Sequence, residues 1–147
     1  LMVEGLAKLE AGPVELHQQT EEGVTIAAKV SPAEARIDWT KPAARVHDHA
    51  RGMTPWPGAS STLNGKLIKI LATRAAPGEA GGAPGEVVTA EKDRVEVACG
   101  EGRIAILRAQ LEGKKPLDAK DLVTGRALTR GSKLGGAAPE PRRLGDA

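Results

Sequence analysis

The chain has 147 residues, about the length of one domain, and its apolar residues are mostly aliphatic because it contains 2 Trp and no Phe or Tyr. A single cysteine, Cys99, excludes an internal disulfide and supplies no pair of metal ligands. No stretch approaches the roughly 18 consecutive apolar residues of a membrane span, and the amino terminus lacks a signal-peptide pattern. We therefore expect a cytoplasmic protein that does not contact a membrane.

Positive charge is concentrated after residue 40. Residues 1–40 carry 3 Lys or Arg against 7 Asp or Glu, whereas residues 41–147 carry 18 against 12, so their net charges are −4 and +6. Cations that share one surface neutralise phosphates and give salt-sensitive binding, whereas scattered cations form an ordinary solvated surface. Composition leaves both interpretations open.

The first 40 residues contain one helical pattern and one weak strand pattern. Apolar residues recur at helical spacing over residues 2–9, and Gly12-Pro13 ends the pattern. Weak alternation over residues 24–26, followed by Ser31-Pro32, predicts a strand and then a linker. Because the chain opens on Leu1, we expect that further sequence precedes it.

A second helix is predicted to begin after Thr40. Thr40 is expected to cap it, with Pro42 in the first turn, where the missing N–H has no cost. Its predicted apolar stripe consists of Ala43, Val46, Ala50 and Met53. This stripe leaves Arg45 and Arg51 on exposed flanks.

The remaining pattern predicts β-strands separated by glycine-rich or charged turns. The strands cover residues 66–73, 86–91, 94–99 and 103–111. Clean alternation in the third strand predicts that its odd-numbered residues face the core and that Glu96 lies on the other face. A change of apolar parity between Ile106 and Leu107 predicts a bulge or a barrel corner, and a short helix should run from Asp118 to Gly125. We expect a closed or partly closed barrel.

Both tryptophans lie in distinctive sequence contexts. Trp39 follows Ile37-Asp38, and Trp56 stands between Pro55 and Pro57, whose fixed φ angles restrict the loop. Such a ring serves either packing or base stacking. Because the chain has no other aromatic residues, we expect Trp39 and Trp56 to be structural anchors that fill the core.

Several blocks resemble, in order and spacing, the region after the catalytic domain of methionyl-tRNA formyltransferases. They are Ile37-Asp38-Trp39, Pro55-Trp56-Pro57-Gly58-Ala59, Pro84-Gly85-Glu86-Val87, Val97-Ala98-Cys99-Gly100-Glu101-Gly102, Gln110-Leu111-Glu112-Gly113-Lys114-Lys115 and Asp121-Leu122-Val123-Thr124-Gly125-Arg126. The resemblance covers about residues 1–134. Gly52, Thr54 and Pro116-Leu117 depart from the family pattern.

The resemblance implies a mainly β fold with short helices. Its core would be a small β-barrel of oligonucleotide-binding type, preceded by a helix and a strand from the end of an α/β domain. Residues 1–30 would then end the catalytic domain, 31–40 would form a linker, 41–134 would form the barrel, and 135–147 would be a flexible tail.

The same resemblance implies a role in holding RNA. The chain would position initiator methionyl-tRNA for N-formylation of its methionine, with formyltetrahydrofolate as donor in the amino-terminal catalytic domain of a monomeric enzyme. The Asn, His and Asp of that chemistry do not match residues here, so no catalytic residue and no cofactor are expected in this chain and it should be inactive alone. The candidate tRNA contacts, chosen by charge and by closeness to the family blocks, are Lys41, Arg45, Arg51, Lys114, Lys115, Arg126 and Arg130.

Other interpretations remain open. A sugar-nucleotide or folate-metabolising formyltransferase can carry a similar second domain, and a non-catalytic interaction module needs no nucleic acid. The positive charge of residues 41–147 favours the tRNA interpretation. A metal site is not expected, because the side chains of His47 and His49 point to different sides of a helix.

Overall fold

The computed structural model describes residues 1–136. Within that range the elements, in chain order, are α1 (Met2–Ala11), α2 (Ala43–Gly52), β1 (Ser60–Leu63), β2 (Lys66–Ala76), β3 (Val87–Glu91), β4 (Arg94–Ala98), β5 (Arg103–Leu111), β6 (Leu117–Asp118) and α3 (Ala119–Thr124). The predicted mainly β fold with short helices is therefore confirmed. Most of the predicted tail, residues 135–147, lies outside the described range. None of the described helices is long and apolar enough to cross a membrane.

The six strands form one antiparallel sheet in the order β1-β2-β5-β4-β3, and β6 pairs with β5. Strand pairing leaves this sheet open, but residues 132–135 run between its two outer strands. The amide of Leu134 donates to the carbonyl of Gly85 (2.7 Å), and the amide of Gly135 donates to the carbonyl of Thr62 (2.9 Å). These bonds cover the edges of β1 and of the segment that enters β3. Assignment to the oligonucleotide-binding type stays a prediction.

The predicted bulge occurs in the β2–β5 pair. Thr73 pairs with Ile106 and Ala72 pairs with Arg108, so Leu107 is an extra residue on β5. Leu107 is consequently turned outward and is 40% exposed. Ile106 before it and Ala109 after Arg108 are both buried, which explains the change of parity in the sequence.

Two local predictions in the amino-terminal part are wrong. Residues 12–30 contain no strand, because no neighbouring strand in the described chain supplies backbone partners to the weak pattern at 24–26. Thr40 does not cap α2, which begins after Pro42. Instead, the Thr40 hydroxyl and amide both donate to the Asp38 carboxylate. The helix α1 matches its prediction, although none of its side chains is buried.

The core combines aliphatic side chains of the sheet with the inner faces of two helices. Val46 and Ala50 of α2 and Leu122 of α3 are buried against it, as the α2 stripe predicted. Burial of these aliphatic groups supplies the main stabilisation, since each fully buried Val or Leu contributes about 1.5–3 kcal/mol.

Trp39 is the one aromatic side chain in the described core, and it is 4% exposed. Its Nε1–H donates to Ser61 Oγ at 2.9 Å. Its Cδ1 lies so close to the backbone of Gly85 and Gly135 that a Cβ added at either glycine would be 3.4 or 3.3 Å away. The role of Trp39 as a structural anchor is consistent with this packing, because the ring contacts three separate parts of the chain.

The backbone next to Trp39 fits closely against the turn between β4 and β5. The amide of Gly100 donates to the carbonyl oxygens of Trp39 (2.9 Å) and Lys41 (3.0 Å). A Cβ at Gly100 would overlap the carbonyl oxygen of Thr40. Only glycine therefore permits this approach.

Substitution of Gly100 by alanine tests this contact. We expect Gly100→Ala to lower the free energy of unfolding by about 1–3 kcal/mol or more, because the two segments must separate. Gly52→Ala is the control, since nothing lies within 4 Å of its added Cβ, and it should be neutral or stabilising by up to about 1 kcal/mol. Equal urea-denaturation midpoints for the two variants would contradict the assigned contact.

Glu96 is on the face of β4 opposite Val95 and Val97, as the alternation predicts, but it is only 3% exposed. It accepts hydrogen bonds from Arg94 Nη2 (2.5 Å) and Thr89 Oγ1 (3.2 Å), and Arg103 Nη1 lies 3.4 Å from its Oε2. Burial raises the pKa of Glu96, but these hydrogen bonds and the two positive charges outweigh it, so the pKa lies below its ordinary range. The outer face of β4 is thus covered by arginine side chains.

Glu96→Gln should reveal this ionised group through the pH dependence of stability. A lowered folded-state pKa gives stability that is present above about pH 4.3 and is lost as the pH falls through the folded-state value. We expect the variant to be about 1–3 kcal/mol less stable than the unmodified chain at pH 7, with the difference shrinking below about pH 4.3. Exposed Glu79→Gln, the control, should change stability by less than about 0.5 kcal/mol. If the difference in free energy of unfolding between Glu96→Gln and the unmodified chain were constant from pH 7 to pH 3, Glu96 would not be the ionised group assigned here to the folded state.

Candidate nucleic-acid interface

Two of the predicted tRNA contacts, Lys41 and Arg45, lie together beside the start of α2. They line a groove of about 440 Å³, which we call the basic groove. Its lining consists of Arg36, Ile37, Asp38, Lys41, Arg45, Val46 and His49. Ile37 and Val46 are buried, whereas the three cationic side chains belong to exposed residues. The groove therefore has a partly apolar floor and a cationic rim.

One wall of the basic groove is fixed by backbone pairing to β1. The amide of Ile37 donates to the carbonyl of Ser60, and the amide of Ser60 donates to the carbonyl of Ala35, both at 2.8 Å. Arg36 forms a parallel bridge with Ser60. This short pairing extends the sheet by one edge segment and sets the position of Arg36.

The opposite wall is the first turn of α2. Pro42 forms a parallel bridge with Glu101, and the amide of Ala43 donates to the carbonyl of Glu101 at 2.8 Å. Because Val46 is buried against the sheet, its exposed neighbour Arg45 is placed at the groove. Both walls are therefore positioned by main-chain hydrogen bonds rather than by the cations themselves.

Asp38 is the single acidic residue in the groove lining. The Thr40 hydroxyl and amide donate to its carboxylate, and with the Lys41 charge these bonds lower its pKa despite a small opposing effect of desolvation. Three cations against this one carboxylate leave the lining with a net charge of +2 when His49 is neutral. His49 Nε2 lies 3.2 Å from the carbonyl oxygen of Ala35, which requires Nε2 to carry the proton.

A neighbouring groove of about 310 Å³ shares Ile37 and Asp38 with the basic groove and adds Lys133. Lys133 thus extends the cationic surface across the Asp38–Thr40 segment. Neither Arg36 nor Lys133 is among the sequence-predicted contacts. Arg36 falls in the acidic part of the chain, and Lys133 lies outside the family blocks, so charge and motif position did not single them out.

Lys114 and Lys115 lie elsewhere, in the turn between β5 and β6. Gln110 Nε2 donates to the carbonyl oxygen of Lys114 at 2.9 Å, which orders this turn. Lys41 lies beside Gly100 at the start of β5, and the nine residues of that strand separate the two sites by roughly 25 Å. The predicted cations therefore do not form one compact patch.

The other three predicted contacts are exposed, and they lie in or after the two helices α2 and α3. Arg51 is in the last turn of α2, and its Nη2 lies 3.5 Å from Asp48 Oδ1, an exposed pair of small energetic value. Arg126 follows α3 with a φ of 51°, and Arg130 precedes Gly131, whose amide donates to the carbonyl of Val87. Nothing in the described structure joins these three residues to the basic groove.

Trp56 does not fill the core, contrary to the sequence prediction. Its residue is 62% exposed, whereas Pro57, Gly58 and Ala59 immediately after it are buried. The loop is closed by a hydrogen bond from the Gly58 amide to the Met53 carbonyl at 2.8 Å. The backbone after Trp56 therefore packs inward, and the indole ring remains at the surface.

Comparison with known proteins identifies the domain. The family model described as the C-terminal domain of formyl transferases matches residues 29–127. The chain belongs to this family. Methionyl-tRNA formyltransferases of Sorangium cellulosum and Bradyrhizobium diazoefficiens are each 47% identical to it, over 134 and 138 residues. These matches cover 90% and 91% of the chain and 43% of each relative, so the chain spans less than half the length of these relatives.

The fold is also present in HypX from Aquifex aeolicus, solved in complex with tetrahydrofolic acid. That structure superimposes with a TM-score of 0.66 over 85% of the chain and 22% of HypX, at 22% identity. At this identity the likeness shows the fold alone. The resemblance to methionyl-tRNA formyltransferases found in the sequence is confirmed by the family match and by the two bacterial relatives.

In this formyl transferase C-terminal domain, Cys99 is buried and His47 and His49 form structural hydrogen bonds. Burial raises the pKa of the Cys99 thiol to about 11, so it is protonated at neutral pH. His47 Nδ1 lies 2.8 Å from Thr73 Oγ1, which links α2 to β2. Within residues 1–136, no three or more His, Cys, Asp or Glu side chains are grouped to bind a metal ion.

Arg126, one of the predicted RNA contacts, provides a test of the carboxyl end of α3. Its amide donates to Val123, and the next amide donates to Leu122, an arrangement that prefers glycine at the left-handed position. Arg126→Gly should leave the free energy of unfolding unchanged or raise it by up to about 1 kcal/mol, whereas Arg126→Ala keeps the strained φ. The thermal unfolding midpoints of Arg126→Gly and Arg126→Ala measure the difference in stability. A glycine variant less stable than the alanine variant would show that this helix end is wrongly assigned.

Proposed function

We propose that this chain is the RNA-holding part of a methionyl-tRNA formyltransferase and positions initiator methionyl-tRNA for N-formylation of its methionine. The observation that carries the proposal is the basic groove, where Arg36, Lys41 and Arg45 surround a recess of about 440 Å³. The names of its bacterial relatives supply the reaction. The groove supplies a place on this domain for an RNA phosphate.

A phosphodiester matches the chemistry of the groove. Two guanidinium groups and one ammonium group donate charge-assisted hydrogen bonds to phosphate oxygens, and arginine does so with two parallel bonds. The buried floor of Ile37 and Val46 limits water on one side, which strengthens electrostatic attraction. Because both walls are fixed by main-chain bonds, binding requires little ordering of the protein.

Phosphate contacts orient an RNA without reading its sequence. We therefore assign positioning to this domain and place discrimination of the initiator tRNA in the rest of the enzyme. Holding the acceptor arm in one orientation would bring the methionine amine to the formyl donor and remove much of the entropic cost of their encounter.

The remainder of the longer enzyme would supply the chemistry. The relatives are more than twice as long as this chain, and we propose that their additional part binds formyltetrahydrofolate and transfers the formyl group. The chain alone would then bind tRNA without formylating it. In this proposal the enzyme acts as a cytoplasmic monomer in translation initiation.

Removal of two groove cations is the direct test. We expect the double variant Lys41→Ala, Arg45→Ala to bind initiator methionine tRNA more weakly, with a plot of log affinity against log salt that is flatter by about one to two units. Lys120→Ala is the control, because this exposed lysine lies near Lys92 and Asp93, at the end of β4 remote from Gly100. Fluorescence anisotropy of labelled tRNA at several salt concentrations measures both quantities.

Two results would contradict the proposal. One is the absence of salt-sensitive tRNA binding by the unmodified chain. The other is a loss of affinity and of salt dependence in Lys120→Ala that equals half the loss in the double variant, because an equal loss per removed charge would mean that only total charge matters. Circular dichroism of each variant confirms that the fold is retained.

A further inference from the structure

The exposed ring of Trp56 forms a second surface feature that the basic groove does not include. We infer that Trp56 stacks on an unpaired base of the bound RNA, and that Lys69 beside it contacts a neighbouring phosphate. This inference rests on the proposed function and adds a base-binding platform to it.

The loop that carries Trp56 is held at both ends. The Thr54 amide donates to the carbonyl of Arg51 (3.2 Å), its hydroxyl donates to the carbonyl of Ala50 (2.8 Å), and the Gly58 amide donates to the carbonyl of Met53 (2.8 Å). Prolines on both sides of Trp56 restrict its backbone further. An exposed ring on a fixed backbone loses little conformational entropy when it stacks.

Few large apolar side chains of residues 31–136 are exposed. In this range they are Trp56 and Leu107. Leu107 lines a different groove, together with Arg74 and Glu96. A surface that docks another protein usually presents a contiguous apolar patch, and residues 31–136 present none around Trp56. A single flat ring suits one nucleobase better than it suits a protein face.

A cation lies next to this loop. The Lys69 side chain passes over Gly58, so that a Cβ there would be 3.4 Å from its Cδ and 3.8 Å from its Nζ. No carboxylate within the described residues forms a salt bridge with Lys69. An aromatic platform beside an unpaired cation is the combination by which proteins bind single-stranded nucleic acid.

Intrinsic fluorescence provides a direct readout, because the chain has only two tryptophans and no tyrosine. Trp39 is buried and Trp56 is exposed, so acrylamide quenches mainly Trp56. Titration of the unmodified chain with initiator methionine tRNA should reduce Trp56 emission and protect it from acrylamide. The Trp56→Leu variant supplies the Trp39 signal for subtraction.

Affinity measurements separate stacking from charge. We expect Trp56→Leu to bind the tRNA about 5- to 150-fold more weakly with an unchanged salt dependence, since stacking releases no counterions. Trp56→Phe should recover part of the affinity because it keeps a ring. Lys69→Gln should instead flatten the salt dependence by about 0.7–0.9 units.

The outcomes distinguish this inference from the proposed function. If the groove variant loses affinity while Trp56→Leu binds normally and Trp56 emission does not change, base stacking is refuted and the proposed function stands. If Trp56→Leu loses structure by circular dichroism, protection of Trp56 from acrylamide in the unmodified chain decides the question, and unchanged quenching refutes stacking. If the unmodified chain binds no tRNA, both proposals fail.

Discussion

Burial of the Trp39 side chain is the contact on which the described structure depends most. The ring occupies the junction between the segment before α2, strand β1 through Ser61, and the backbone at Gly85 and Gly135. These are the points where both edges of the sheet are covered. In a chain without Phe or Tyr, one indole supplies contacts that other domains divide among several aromatic residues. Two of its neighbours are glycines because Gly85 and Gly135 have φ angles of 84° and 98°, and a Cβ at Gly85 would also clash with the carbonyl oxygen of Leu134.

The position of Trp39 determines the geometry of the basic groove. Its main chain bonds to Gly100, so the residues on either side are fixed against the β4–β5 turn. Lys41 and Arg36 lie on this fixed segment, and α2 brings Arg45 to the same recess. Electrostatic attraction between an RNA and this domain would therefore be directed to one place by packing, rather than spread over all exposed cations. Lys114 and Lys115 are at the other end of β5, outside this recess.

The extent to which sequence predicts this structure depends on whether a feature is local. The stripe of α2 and the bulge at Leu107 were predicted because spacing along one element determines them. Strand β1 was missed because Ser60–Leu63 is mostly polar, and its place in the sheet depends on pairing with distant residues. Burial of Glu96 depends on arginines from two strands, and the exposure of Trp56 depends on how its loop packs. Which cations lie close together could not be predicted either. The distance between the two ends of the sheet does not follow from the spacing of residues along the chain.

Amide chemical-shift mapping with initiator methionine tRNA tests the central claim most directly, because it locates the RNA on a 15.3 kDa chain without altering it. If the RNA binds in the groove that Trp39 positions, the chemical-shift changes will be concentrated at residues 36–49. The signals of Lys92 and Lys120 will be unaffected, and the indole N–H signal of Trp39 will be retained. Changes confined to the sheet end that carries Lys92 and Lys120, with residues 36–49 unchanged, would contradict the account.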